Sequence, residues 1–473
     1  MRCQQPAGRL PGDTMSALDV KPAAVSQKSP RQRRGTEVWL LLFAYGIAVA
    51  AFAQVDIVLL DQLSSDFTTF AVIFGVGLVA AHASLRWLAP HADPVLLPAV
   101  SLLNGLGLAM IHRLDLADDL DPVDPDYVAQ LGWFVLAVGL FVAVLLLVRD
   151  HRVLQRYTYT AMLIGLLLLV LPLLPLIGTE INGARIWVRV ALGPRTFSFQ
   201  PAEVAKIVLI VFFAGYLVVK RDVLALARSR VFGIDLPRGR DLGPILVAWA
   251  ASLGVLVFQR DLGTSLLFFG LFVTMLYIAT ERRSWIFIGG FLFAAGAFVA
   301  YQLFDHVQLR VKIWLDPFVD EAGDGFQIAQ SLYGFASGGV LGVGFGQGHP
   351  DFVPFAKTDF IMAAFGEELG LTGVMALLAL YAIIIERGMR TAVACRDSFG
   401  KLLAAGLSAA IGIQVFVVIG GVMKLIPLTG LTTPFLSYGG SSLVANWALV
   451  ALLLRISDAA RRPPDSGRRE VSS

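Results

Sequence analysis

The sequence predicts an all-α integral membrane protein of about twelve transmembrane helices, with one long extracytoplasmic loop between the ninth and tenth spans. Three observations carry this expectation. Apolar residues make up 56% of the chain and charged residues 15%, against roughly 45–50% and about 25% in soluble domains. The mean hydropathy is +0.72. Runs of roughly 17–25 mostly apolar residues, each enough to cross a bilayer, take up almost the whole length and leave no room for a second soluble domain.

Residues 1–36 are polar, basic and dotted with Pro and Ser, without the short apolar core of a signal peptide. They read as a disordered cytoplasmic tail. Spans are then expected near 37–56, 69–87, 94–112, 132–148, 158–178, 201–220, 243–258, 262–280, 285–303, 360–385, 402–424 and 442–455. The membrane domain is 37–457, and 458–473 is a second polar tail. Cys3 and Cys395 are the only cysteines. Both fall in segments placed in the cytoplasm, so no structural disulfide is expected. The net charge of +3 does not point to nucleic acid; the expected surroundings are membrane lipids.

Orientation follows from Lys and Arg, which concentrate in cytoplasmic connections. Every second connection is basic: Arg149 to Arg156, Lys220 to Arg240, Arg282-Arg283, Arg387 to Lys401, and the C-terminal tail. With both termini in the cytoplasm, the 304–359 insert lies outside. Two outer segments break the rule. The loop before the 201–220 span carries Arg185, Arg189 and Arg195, and the outer turn near Phe258 carries Arg260. An anionic ligand would explain cations there; anchoring to lipid headgroups is the plainer account.

The 304–359 insert concentrates Asp305, Asp316, Asp320, Glu321, Asp324 and Asp351 with Arg310, Lys312 and Lys357. Connections this long are usually functional or disordered. Trp314, Phe318, Phe326, Tyr333 and Phe335 favour a folded cap, since disordered segments are poor in aromatics.

Ionisable groups inside spans cost about 2.5–3.5 kcal/mol each on insertion scales and default to functional hypotheses. Glu203 and Lys206 stand three apart at the outer end of a span and can pair. The spacing alone suits a site and a structural ion pair equally. Asp261 opens the 262–280 span at the same depth. Glu367 and Glu368 read as holding the base of the large loop. Gly430 to Ser442, with Ser437 and Ser441, offers hydroxyls and close backbone approach near the last span. The chain has no Cys/His cluster in sequence, no His-Glu-x-x-His and no P-loop.

Several motifs occur in order: Gly183-Ala-Arg-Ile-Trp-Val, Phe199-Gln-Pro-Ala-Glu-Val-Ala-Lys206, Gln259-Arg-Asp-Leu-Gly-Thr264, Leu315-Asp-Pro-Phe-Val-Asp320, Gly325-Phe-Gln-Ile-Ala-Gln-Ser331, Thr358-Asp-Phe-Ile, Gly366-Glu-Glu-Leu-Gly370 and Leu436-Ser-Tyr-Gly-Gly-Ser-Ser442. Together they resemble the SEDS (shape, elongation, division and sporulation) family over roughly residues 180–460, its actinobacterial branch most of all. Glu321 stands where the family commonly has proline, and Lys357 where it often has histidine.

The resemblance implies a peptidoglycan glycosyltransferase that polymerises lipid II at the outer membrane face. It implies Asp320 as the catalytic base and Glu203, Lys206 and Asp261 as the polar cavity. The other expected substrate-binding residues are Arg185, Arg189, Arg310, Lys312, Lys357, Ser437 and Ser441. A divalent cation such as Mg or Mn is the expected cofactor, and a class B penicillin-binding protein the expected partner. A lipid II flippase and a scaffold for a transpeptidase are the competing classes.

Overall fold

In the computed structural model, eleven helices among the described residues are long and apolar enough to cross a membrane. The structure describes residues 30–117, 125–175, 177–181, 184–192, 195–225, 229–231, 234–236, 250, 254 and 259–463. The helices are α1 (Pro30–Leu60), α2 (Ser65–Leu88), α3 (Leu96–Ala117), α4 (Asp126–Leu147), α5 (Thr158–Val170), α6 (Pro201–Ala225), α7 (Leu262–Thr280), α8 (Ser284–Leu303), α9 (Asp305–Leu315), α10 (Phe326–Gly338), α11 (Ile361–Ala394), α12 (Ser398–Val422) and α13 (Gly440–Arg461). All but α9 and α10 belong to spans; α5 becomes long enough with the 3-10 turns His151–Tyr157 and Leu171–Leu173 at its ends. The expected span at 243–258, apart from residues 250 and 254, lies outside the described residues, as does most of 1–36.

Burial separates the helices into a core and a lipid-facing shell. The apolar windows of α3, α12 and α13 are 89%, 83% and 83% buried, whereas that of α8 is 6% buried. Helix α1 packs on α3, α4 on α13, α5 on α6 and α11 on α12. Aromatic rings fill the contacts: Phe134 and Phe141 both meet Trp447 edge-on.

The loop before α6 is not irregular. It forms an antiparallel sheet of β1 (Gly178–Ile181), β2 (Ala184–Leu192) and β3 (Arg195–Phe199), with β2 central. A small hairpin of β4 (Ser229–Val231) and β5 (Ile234–Leu236) follows α6.

The insert is folded, as its aromatics suggest. Helix α9 runs into the 3-10 turn Pro317–Asp320, then α10, then the glycine-rich run. That run repairs a break in α11, whose Gly370 has φ 65° and ψ −168°. At the break, Val343 and Gly344 N–H donate to the Glu367 and Glu368 carbonyls, and Leu371 and Thr372 N–H donate to those of Gly339 and Val340. Gly342 has φ 81° and lies against the Glu368 carbonyl, so a side chain there would collide with backbone. Glu368 accepts from Gly346 N–H at 2.9 Å and Arg113 Nε at 2.6 Å; Glu367 accepts from His349 N–H at 2.8 Å. The two carboxylates hold the base of the loop.

Candidate functional site

A layer of buried and half-buried charge lies where α6, α7, α9, α11, α12 and α13 meet at the cap. It starts with α6, whose entry is fixed by a hydrogen bond from Gln200 N–H to Ser441 Oγ at 2.9 Å. Pro201 suits the first turn, where its missing N–H costs nothing. One turn further in, Lys206 Nζ donates to Glu203 Oε2 at 2.8 Å, to Gln414 Oε1 at 2.8 Å and to Asn446 Oδ1 at 3.4 Å. Gln414 also donates to the Thr432 carbonyl, and Asn446 to Ser442 Oγ. Each ammonium hydrogen of the sealed lysine thus has an acceptor, which offsets the cost of burying it.

Asp261 caps α7, accepting from Thr264 N–H at 2.9 Å through Oδ1. Its Oδ2 is buried and has no hydrogen-bond partner among the described residues. Burial raises its pKa, Glu203 adds to the rise, and Thr264 and Arg310 oppose it. Arg310 and Trp314, one turn apart on α9, lay the same face on the 424–428 segment. Their side chains donate to the Leu428 and Lys424 carbonyls at 3.0 and 3.1 Å. The Arg310 guanidinium feels both Asp261 and Asp359, and burial pulls its pKa down.

Asp359 immediately precedes Phe360 and α11. Burial pushes its pKa up to about 6, with Arg310 opposing. Its neighbour is fixed by Ser437 Oγ, which donates to the Thr358 carbonyl at 2.6 Å and accepts from Thr433 N–H at 2.9 Å. The site is thus a row of Glu203, Lys206, Asp261, Arg310 and Asp359. With all five ionised its sum is one negative charge.

Of the residues expected from sequence, Glu203, Lys206, Asp261 and Arg310 belong to this layer, and Ser437 and Ser441 support its backbone. The others do not join it among the described contacts. Arg185 is exposed on β2 and pairs with Glu180 at 3.2 Å; Arg189 is exposed on the same strand. Lys312 is exposed on α9, about 200° around the helix from Arg310. Lys357 is held by Asp115 at 2.7 Å and Asp126 at 3.1 Å, tying the cap to α3 and α4.

Asp320 is exposed on the turn between α9 and α10. Its Oδ2 accepts from Asp324 N–H at 3.2 Å and its carbonyl from Gly325 N–H at 3.0 Å. A Cβ at position 323 would lie 2.6 Å from both Asp320 carboxylate oxygens, so Gly323 leaves that carboxylate its place. Asp316 caps the same turn through Phe318 N–H.

Sequence reasoning missed Asp359, Gln414 and Asn446. The Thr358-Asp-Phe-Ile motif contained the signal for the first. Nothing marked the other two, since uncharged amides inside apolar helices are inconspicuous. Asp261 and Asp359, flanking Arg310, fit a divalent cation held by one or two carboxylates and completed by substrate phosphates. The unpartnered Asp261 Oδ2 supports that fit. The layer contains no group of three carboxylates close enough for an all-protein metal site among the described residues.

The FtsW/RodA/SpoVE family model, described as cell cycle protein, matches residues 94–462. The chain is 53% identical over 448 residues to the peptidoglycan glycosyltransferase RodA of Mycobacterium tuberculosis strain H37Rv, covering 93% of this chain and 94% of the relative. It is 51% identical over 434 residues to that of Mycobacterium leprae, covering 91% and 92%. A solved chain from a peptidoglycan synthase complex that coordinates polymerization and crosslinking superposes with a TM-score of 0.62 at 29% identity, covering 79% of this chain and 99% of that one. The motif order, the helical membrane fold and these matches agree: the chain belongs to the FtsW/RodA/SpoVE family.

Proposed function

We propose that this peptidoglycan glycosyltransferase polymerises lipid II at the outer face of the cytoplasmic membrane during cell elongation. Both termini lie in the cytoplasm and the 304–359 cap lies outside. The observation that carries the reading is the Asp261–Arg310–Asp359 layer at the base of that cap, with Asp261 buried and the other two half-buried. A disaccharide-pyrophosphate lipid needs its tail in the bilayer and its headgroup at such a boundary.

The acceptor sugar's hydroxyl must lose a proton as the new glycosidic bond forms, and a carboxylate is a suitable base. Asp320 takes this role, exposed on the cap where the acceptor can reach it. Arg310 faces the leaving pyrophosphate, whose negative charge grows as the bond to the sugar breaks. Lys206 pairs with Glu203 behind it. A Mg or Mn ion held by Asp261 and Asp359 would supply further neutralisation of the pyrophosphate. A class B penicillin-binding protein is the proposed crosslinking partner, supported by the similarity to a chain from a synthase complex.

Purified protein given labelled lipid II, with and without its cognate transpeptidase, tests the reading. Glycan strands that lengthen with time, and faster with the partner, are expected. Lipid II translocation without polymer in every condition would overturn it.

A further inference from the structure

Far from the charged layer, at the opposite end of α11, three donors of different chemistry converge. His151 opens the 3-10 turn leading into α5, Cys395 ends α11, and Asp397 caps α12. One donor atom from each lies within 4.8 Å of the other two, the only such group of three among the described residues. His151 and Cys395 are buried, and Asp397 is partly so. We propose that His151 Nε2, Cys395 Sγ and an Asp397 oxygen form a binding site for a divalent metal of the zinc class, clipping these three elements together.

The donor set suits that metal. Imidazole, thiolate and carboxylate are all zinc ligands, and three protein ligands leave a fourth position for water. Cys395 and Asp397 also line a cavity of about 160 Å³ with Arg152, Arg396 and Arg462, which offers an entry path. Gly400 lies against the triangle. A Cβ there would crowd His151 Nε2, lie 2.6 Å from Cys395 Sγ and 2.9 Å from Asp397 Oδ2. Glycine keeps the donors clear.

Hydrogen bonding is already divided as a metal would require. Asp397 Oδ1 is engaged by Gly400 N–H at 2.7 Å, the helix cap. Its Oδ2 gathers His151 Nε2 at 3.0 Å and the Cys395 thiol at 3.3 Å, with Arg152 Nε at 3.5 Å. A metal takes the place of the two bridging protons. The thiol proton leaves to solvent, and the imidazole carries its hydrogen on Nδ1 instead. That nitrogen is buried without a hydrogen-bond partner among the described residues, and Asp150 Oδ1 lies 3.7 Å away. A carboxylate behind a ligating histidine fixes its tautomer and strengthens it as a ligand.

The test uses the full-length chain, purified in detergent, stripped with chelator and titrated with zinc or cobalt alone. One zinc per chain, thiolate-to-cobalt charge-transfer bands and a rise in Tm are expected. Cys395→Ser is the decisive variant because serine still donates to Asp397, so a purely hydrogen-bonded cluster survives it with unchanged metal-free Tm. A metal site loses the charge-transfer band and weakens by about tenfold or more, the scale seen even for outer-sphere partners. His151→Gln is expected to weaken zinc likewise. Substoichiometric zinc in the wild type, or equal zinc affinity in Cys395→Ser, overturns the proposal and leaves adventitious binding only.

Discussion

Lys206 Nζ sits 2.8 Å from Glu203 Oε2 on the next turn of the same helix, and both side chains are sealed from water. Removing one partner of such a pair costs about 3–5 kcal/mol, because the other is left as an uncompensated buried charge. Lys206→Met is therefore expected to lower thermal stability sharply. The double variant with Glu203→Gln should recover much of the loss while remaining inactive. Equal destabilisation by the single and double variants, measured by thermal unfolding in detergent, would show that the pair is not coupled.

Asp359 gives the layer a pH dependence. Its pKa of about 6 stands above an unfolded value near 3.8, so the native state binds the extra proton between the two. Stability then falls as pH rises from about 4 to about 6 and is flat above, a difference of about 3 kcal/mol for a shift of about two units. Asp359→Asn should accordingly raise Tm at pH 7.5 and have progressively less effect toward pH 4. If the ionised form serves polymerisation, the rate falls below pH 6 in the wild type. A wild-type Tm difference from Asp359→Asn that is independent of pH would refute the assignment.

Much of this was legible in the sequence. A bilayer demands about twenty apolar residues per span, so the described spans fall where hydropathy places them. Glu203 and Lys206 were visible because charge inside a span is rare. Asp359 was not, because it stands just outside one, where aspartate is ordinary. Its surroundings come from Arg310 and Asp261, neighbours distant in sequence. The β1–β3 sheet escaped notice for a related reason: β1 and β3 are only four and five residues long, and the sheet exists only through pairing. Lys357 looked like an anion ligand until Asp115 and Asp126 appeared beside it. Those carboxylates lie more than two hundred residues away.

Lys357 is accordingly expected to act as a clip. Lys357→Met leaves Asp115 and Asp126 facing each other without their cation and should lower Tm; Lys357→Arg should restore most of it. Lipid II affinity should change little in Lys357→Arg. A large loss of affinity in that variant, at normal Tm, would return Lys357 to the substrate site.

Orientation can be read at Leu341, which is 79% exposed in the glycine-rich run. Leu341→Cys should react with membrane-impermeant maleimide in intact cells, above the wild-type background. Labelling only after the cells are permeabilised would put the cap in the cytoplasm and remove it from any lipid II polymerised outside.

The cap carries three aspartates close in sequence, and their surroundings separate them. Asp316 caps the turn through Phe318 N–H, so Asp316→Asn should keep activity, since asparagine caps nearly as well. Asp324 lies between two glycines in that turn and donates its own N–H to Asp320. Asp320 is exposed and has room beside Gly323. Asp320→Asn preserves its shape and its acceptor oxygen but removes the proton acceptor. It should fold, enter the membrane and bind the transpeptidase normally, while glycan polymerisation falls by at least about 10², the lower end of what a general base contributes. The decisive measurement is the polymerisation rate of Asp320→Asn beside Asp359→Asn at pH 7.5. Near-normal rates in the first with none in the second would move the base from the exposed turn to the buried layer.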